Sequence, residues 1–67
     1  MTQTLKPYKI VTYEPGASTV FDRETGRECG YVLQDFHGNW EPMRNGTAVG
    51  ELWRYREDAA RAVWESR

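Results

Sequence analysis

Ser18, Cys29 and His37 are the residues of this 67-residue chain from which a nucleophile and its base could be assembled. Covalent catalysis needs the two within hydrogen-bond reach and a third group orienting the base, and neither the spacing nor the surroundings of these three recommend such a set. A metal centre needs several converging thiolate, imidazole or carboxylate ligands. The chain has one cysteine and one histidine, eight residues apart, with no Cys-x-x-Cys and no His-x-x-x-His pair. His37, beside Gly38, reads as a solvated turn residue. Glu57 and Asp58 stand at the start of a helical pattern, where the helix dipole accounts for paired carboxylates without acid–base chemistry. The six glycines are scattered and match neither a dinucleotide nor a nucleoside-triphosphate fingerprint. So short a chain leaves little room for a pocket of ~300 Å³ or more. No catalytic residue, metal or cofactor is expected, and the chain reads as a non-enzyme.

Recognition by surface contact is the chemistry that remains. Three tryptophans, four tyrosines and seven arginines are a large supply of the residue types that dominate binding hot spots. The most patterned stretch, "LWRYREDAARAVW" from Leu52 to Trp64, concentrates them. The candidate surface joins Trp40, Arg44, Trp53, Arg54, Tyr55, Arg56 and Trp64, with aromatics burying area and arginines fixing orientation through forked hydrogen bonds. On a helical wheel Arg56 falls in the apolar arc, so its stem should lie on a sheet or its guanidinium stack on a ring, unless it sits at a frayed first turn. Trp64 falls at the border of that arc.

The elements that must position these residues follow from turn chemistry and period. "YKIVTY" (8–13) is rich in β-branched and aromatic residues and is closed by Pro15-Gly16, which predicts a strand. A short run over 19–22 leads into the turn at Gly26, and a return strand is expected over about 28–36. "FHGN" turns into "WEPMR", where Pro42 lacks an N–H for the ladder and so predicts an edge or a break. Asn45-Gly46 is a hairpin signal because both positions tolerate the left-handed conformation, and a further strand is expected over 48–53. From about Tyr55 the period becomes helical: Ala59, Ala60, Ala62 and Val63 share one arc and Glu57, Asp58, Arg61 and Glu65 the other. Strands first and a helix last predict an α+β domain, a small antiparallel sheet of three to five strands with one C-terminal helix packed across a face. It occupies 8–67 after a flexible N-terminus at 1–7. Tyr31, Leu33, Trp40 and Trp53 are the large residues expected to point inward under the alanines.

A chain of this size buries only roughly 60% of its unfolded surface, and its single cysteine cannot form an internal disulfide, so packing or oligomerisation must stabilise it. Nine basic against ten acidic residues leave a net charge of −1, which disfavours nonspecific attachment to nucleic acid. Neither a signal peptide nor a span of ~20 apolar residues is visible, so no membrane contact is expected, and with one free cysteine a cytoplasmic location in the host cell is. Lysine does not recur after Lys9, a usage that suggests a G+C-rich bacterial or phage source.

Gly38-Asn39-Trp40, then Gly50, then "WRYREDAARAV" resembles the strand-strand-strand-helix DNA-binding modules of phage-type integrases, similar to the plant AP2 domain. That resemblance covers about 28–66 and implies a sheet lying in the major groove, with Arg44, Arg54 and Arg56 on phosphates or guanine edges. More of the chain resembles the small accessory proteins of actinobacteria and their phages. This second resemblance implies modulation of a host protein, immunity or defence, all through protein contacts. The sequence therefore suggests a phage or prophage accessory protein that binds a host or phage protein or self-associates, with a sheet-reading DNA-binding module as the alternative.

Overall fold

The computed structural model describes residues 5–67. Most of the flexible N-terminus expected at 1–7 lies outside the described residues, but Lys6 pairs with Glu57 and the Pro7 carbonyl accepts from the Arg23 N–H at 2.9 Å. Five strands, β1 (Tyr8–Glu14), β2 (Ala17–Asp22), β3 (Glu28–Gln34), β4 (Trp40–Arg44) and β5 (Thr47–Ala48), precede one helix, α1 (Arg56–Glu65). The strands form an antiparallel meander in chain order. The helix packs across β3 and β4, and the α+β architecture expected from the sequence is the one observed.

Each turn has a local cause. Asn45 and Gly46 both take positive φ, 52° and 78°, the mirror-image conformation whose twist suits a two-residue hairpin. Between β2 and β3 the Asp22 carboxylate accepts from the backbone N–H groups of Glu24 (2.8 Å) and Thr25 (3.0 Å). These bonds, that from Thr25 first, hold the Asp22 carboxyl below its ordinary value of 3.8. A depressed folded-state pKa contributes stability that is present above the unfolded value and lost as pH falls through the folded one. Urea midpoints are therefore expected to fall with acidification below about pH 4. Asp22→Asn, which keeps an acceptor oxygen but does not titrate, should flatten this part of the profile.

The strand expected over 48–53 is much shorter. Pro42 accepts from the Val49 N–H at 2.9 Å but has no N–H to return, so the β4–β5 ladder ends after Thr47–Ala48. The chain comes back to β4 only at Trp53, which pairs with Trp40 in an isolated bridge.

The core lies between the helix and one sheet face, and is built of Tyr8, Val20, Val32, Ala59, Ala60 and Val63 with Trp40, Trp53 and Trp64 packed at its margin. Strand alternation then places Ser18, Gly30 and Pro42 on the helix side, in register with Val32 and Val20. Tyr31 and Leu33 have the opposite parity. They face away from the helix, contrary to the expectation that they sit under the alanines, whereas Trp40 and Trp53 do face it. The reason is steric: a helix presenting alanines gains contact only by close approach, and close approach needs small groups beneath it. A Cβ on Gly30 would stand 2.7 Å from Val63 Cγ1, so nothing larger than glycine fits there.

Candidate functional site

The seven candidate residues fall into three groups. At the start of β4, Trp40 and Trp53 exchange backbone hydrogen bonds of 2.6 and 2.8 Å, and both indoles are half-buried against the core. The Trp53 Nε1 donor is buried with no partner among the described residues, a cost of about 1–3 kcal/mol. Arg56 opens the helix beside them. Its Nη1 donates to Thr12 Oγ1 at 2.9 Å, and its guanidinium lies 6.0 Å from the Trp40 ring centroid, at the outer limit for a cation–π contact. Its stem thus crosses the sheet end towards β1, as its place in the apolar arc suggests.

Arg54 and Tyr55 form a second, outward-facing pair at the strand-to-helix junction, 5.9 Å from guanidinium to ring centroid. Tyr55 occupies the N-cap position in extended conformation without a side-chain cap bond. Its ring is 63% exposed, and Leu52 beside it is 50% exposed.

Arg44 and Trp64 lie at the other end of the helix. Arg44 donates from Nε to the Cys29 carbonyl (2.8 Å), from Nη1 to the Ser66 carbonyl and from Nη2 to the Val63 carbonyl (both 2.7 Å). The last helical turn has no basic residue of its own, so β4 supplies the cation that the carbonyl end of the dipole favours. Trp64 packs on Tyr8 with ring centroids 6.1 Å apart, and the Arg67 guanidinium covers it at 3.4 Å. These contacts hold the helix to the sheet. An open depression of 480 Å³ beside Arg44 is lined by arginines and carboxylates together, including Arg27, Arg67, Asp22 and Glu28.

The helix lies on one side of the sheet only, and on the other side Val11 is exposed, Phe21, Tyr31, Leu33 and Met43 are half-buried and Ala17 is buried. The rows of this face, read from the strand register, are Lys9, Phe21 and Glu28 at one end, then Val11, Thr19, Tyr31, Met43 and Ala48 across the middle, then Glu14, Ala17, Leu33 and Glu41. The face thus has a mostly apolar middle row, with four charged residues, Lys9, Glu14, Glu28 and Glu41, in the rows at its two ends. Sequence reasoning did not place this face among the candidates. Its signal was the run "CGYVL" in β3: a strand with one solvated face alternates apolar and polar residues, whereas an unbroken apolar run marks a strand with both faces covered.

Cys29 is half-buried, and desolvation pushes its thiol up from the ordinary value, with Asp22 adding to the effect, which keeps it protonated and unreactive near neutrality. No group of three potential metal ligands occurs among the described residues, and no helix there is long and apolar enough to cross a membrane. The chain matches no protein-family model, no curated protein and no solved structure.

Proposed function

We propose that this domain is a non-enzymatic accessory module, of phage or prophage origin and working in the host cytoplasm, that acts through protein–protein contact. The observation that carries this reading is the make-up of the sheet face away from the helix. Its middle row of Val11, Thr19, Tyr31, Met43 and Ala48 is mostly apolar and is flanked by Lys9, Glu14, Glu28 and Glu41, and an apolar patch rimmed by polar groups is characteristic of interaction sites. Tyr31, Phe21 and Met43, which lie on it, are of the types enriched in interface cores. The exposed Arg54–Tyr55 pair and Leu52 offer a second, smaller area of contact at the helix start.

The sheet-reading DNA alternative is disfavoured by the same face. An AP2-like module reads with basic side chains on its sheet, but here the rows of that face hold one lysine, three glutamates (Glu14, Glu28 and Glu41) and no arginine. Arg44 is occupied by three carbonyls on the helix side. On heparin at about 50 mM salt the protein is expected to flow through, and retention that weakens with added salt would favour nucleic acid instead.

The protein-contact reading is tested with Leu33→Glu, a change on the sheet face away from the helix that circular dichroism should show to leave the fold intact. Wild type is expected to retain proteins from a host lysate that Leu33→Glu does not. If both recover the same set, this face is not the contact surface.

A further inference from the structure

We propose that Asn45 is a site of spontaneous covalent modification, at which the Gly46 backbone nitrogen closes on the Asn45 side chain and expels ammonia while the β4–β5 hairpin is open. The inference is independent of the protein-contact reading and needs no partner.

The chemistry belongs to the pair of residues. The Gly46 amide nitrogen, losing its proton, attacks the Asn45 side-chain carbon Cγ. The new N–Cγ bond closes a succinimide ring as the Cγ–Nδ2 bond breaks, and ammonia leaves with the proton. Water then opens the ring at one of its two carbonyls. Cleavage of the bond to Cγ gives aspartate in the ordinary chain, and cleavage of the bond to the Asn45 carbonyl carbon gives an isoaspartyl link that runs through the side chain. Glycine obstructs such a ring least, because it has no Cβ. A Cβ placed on Gly46 would meet nothing within 4 Å, so no neighbouring group crowds the attacking nitrogen. Both residues are exposed, which gives water access to the ring. The other asparagine of the chain, Asn39, is followed by Trp40, whose nitrogen is tied to the Trp53 carbonyl at 2.6 Å.

The closed hairpin holds the reacting atoms apart. Asn45 and Gly46 have φ of 52° and 78° in a two-residue loop between the paired Arg44 and Thr47, and in this mirror-image turn ψ at the first position is about +30°. Such a ψ points the Gly46 nitrogen nearly opposite to the Asn45 Cβ about the Cα–C bond, whereas ring closure needs the two nearly eclipsed. The same nitrogen is also engaged, its N–H donating to Tyr31 Oη at 3.1 Å. Reaction therefore requires rotation about that bond and release from Tyr31.

Opening the hairpin supplies both. β5 consists of two exposed residues, Thr47 and Ala48. Beyond them a single backbone bond among the described residues, Val49 N–H to the Pro42 carbonyl at 2.9 Å, joins the segment to β4 before Trp53. The buried cluster of Val20, Val32, Ala59, Ala60 and Val63 lies in other elements. A segment with so few buried contacts opens locally at a lower free energy than the whole domain. The two products then differ in consequence. Aspartate tolerates the left-handed turn position and adds a carboxylate to the depression that Asn45 shares with Arg27, Arg44 and Arg67. The isoaspartyl link adds a methylene to the backbone of a two-residue turn, which releases β5 from β4.

The purified chain is to be held at mildly alkaline pH and followed by intact mass and peptide mapping, which read the conversion of amide to acid at each asparagine. Native protein is expected to convert at Asn45 in preference to Asn39, about tenfold or more slowly than the same chain unfolded in guanidinium chloride. Tyr31→Phe should convert about twofold to fivefold faster than wild type, with guanidinium midpoints of both proteins separating this effect from loss of fold. Low, non-denaturing guanidinium should leave the wild-type rate nearly unchanged, because opening so small a segment exposes little surface. The proposal is overturned if native protein stays unconverted over a period in which the unfolded chain converts fully, or if Asn39 converts as fast as Asn45. It is equally overturned if Tyr31→Phe leaves the rate unchanged. A rate that climbs steeply through non-denaturing guanidinium also overturns it, since reaction then runs through the unfolded chain and not through an open hairpin.

Discussion

Gly30→Ala is expected to destabilise the domain by about 3 kcal/mol or more, the largest effect of any single methyl group in the chain. The added Cβ would stand 2.4 Å from the Met43 carbonyl oxygen and 2.7 Å from Val63 Cγ1. Neither neighbour can yield cheaply. Met43 is held in register with Tyr31 across the β3–β4 ladder, so its carbonyl moves only if that ladder distorts. Val63 is fully buried in the last part of the helix, so its withdrawal lifts α1 off the sheet and opens the space above Val20 and Val32. A domain of this size has a total stability of only about 3–10 kcal/mol, so the variant should be largely unfolded or close to it. Gly26→Ala is the matched control. Gly26 also has positive φ, 77°, but a Cβ there meets nothing within 4 Å, and the cost should be about 1 kcal/mol of backbone strain. Urea unfolding followed by tryptophan fluorescence distinguishes the two. Equal midpoints for the two variants would show that the helix does not approach β3 so closely.

Arg44→Met is expected to cost about 2–3 kcal/mol, the second largest effect, although it keeps most of the apolar stem. The guanidinium meets three carbonyls, on Cys29, Val63 and Ser66, and so joins β3 and the helix end through one side chain of β4. Hydrogen bonds from a charged donor contribute more than neutral ones, and two of the three, to the Cys29 and Val63 carbonyls, are partly buried. The helix makes the loss more severe, because its last turn has no lysine or arginine to compensate. Arg44→Lys should recover less than half of the loss, since an ammonium cannot reproduce the planar fork. Native-state amide exchange gives a second readout. Protection in the last helical turn should fall in Arg44→Met before protection in β2 does, and a uniform loss along the chain would mean that the arginine does not act through the helix end.

Much of the architecture could be read from local signals. Asn45-Gly46, Pro15-Gly16 and the "RETG" turn mark places where few residues other than those present adopt the required backbone, and the helix follows from the 3.6-residue spacing of Ala59, Ala60 and Val63. These signals act over a few residues, which is why they survive without tertiary information. The candidate surface was less legible because its residues were gathered by type and nearness in sequence. Arg44 and Arg56 are chemically alike, yet one anchors the helix end by three carbonyls and the other reaches Thr12 on the far edge strand. Which of these an arginine does depends on the groups that the fold places within about 7 Å of its backbone, and no pattern within β4 announces that the helix will end above Arg44.

The chain by itself determined the elements, their order, the turns and the charge balance, because each is a property of a residue and its near neighbours. Only the tertiary structure decided which side of β3 the helix covers. Both parities of "CGYVL" are apolar, so period alone could not choose between Gly30 with Val32 and Tyr31 with Leu33. The choice falls to packing: an alanine-faced helix gains most by lying close, and only the side with Gly30, Ser18 and Val32 lets it do so. The larger residues, Phe21, Tyr31, Leu33 and Met43, were thereby left on the opposite face, where they became the surface from which the function is proposed.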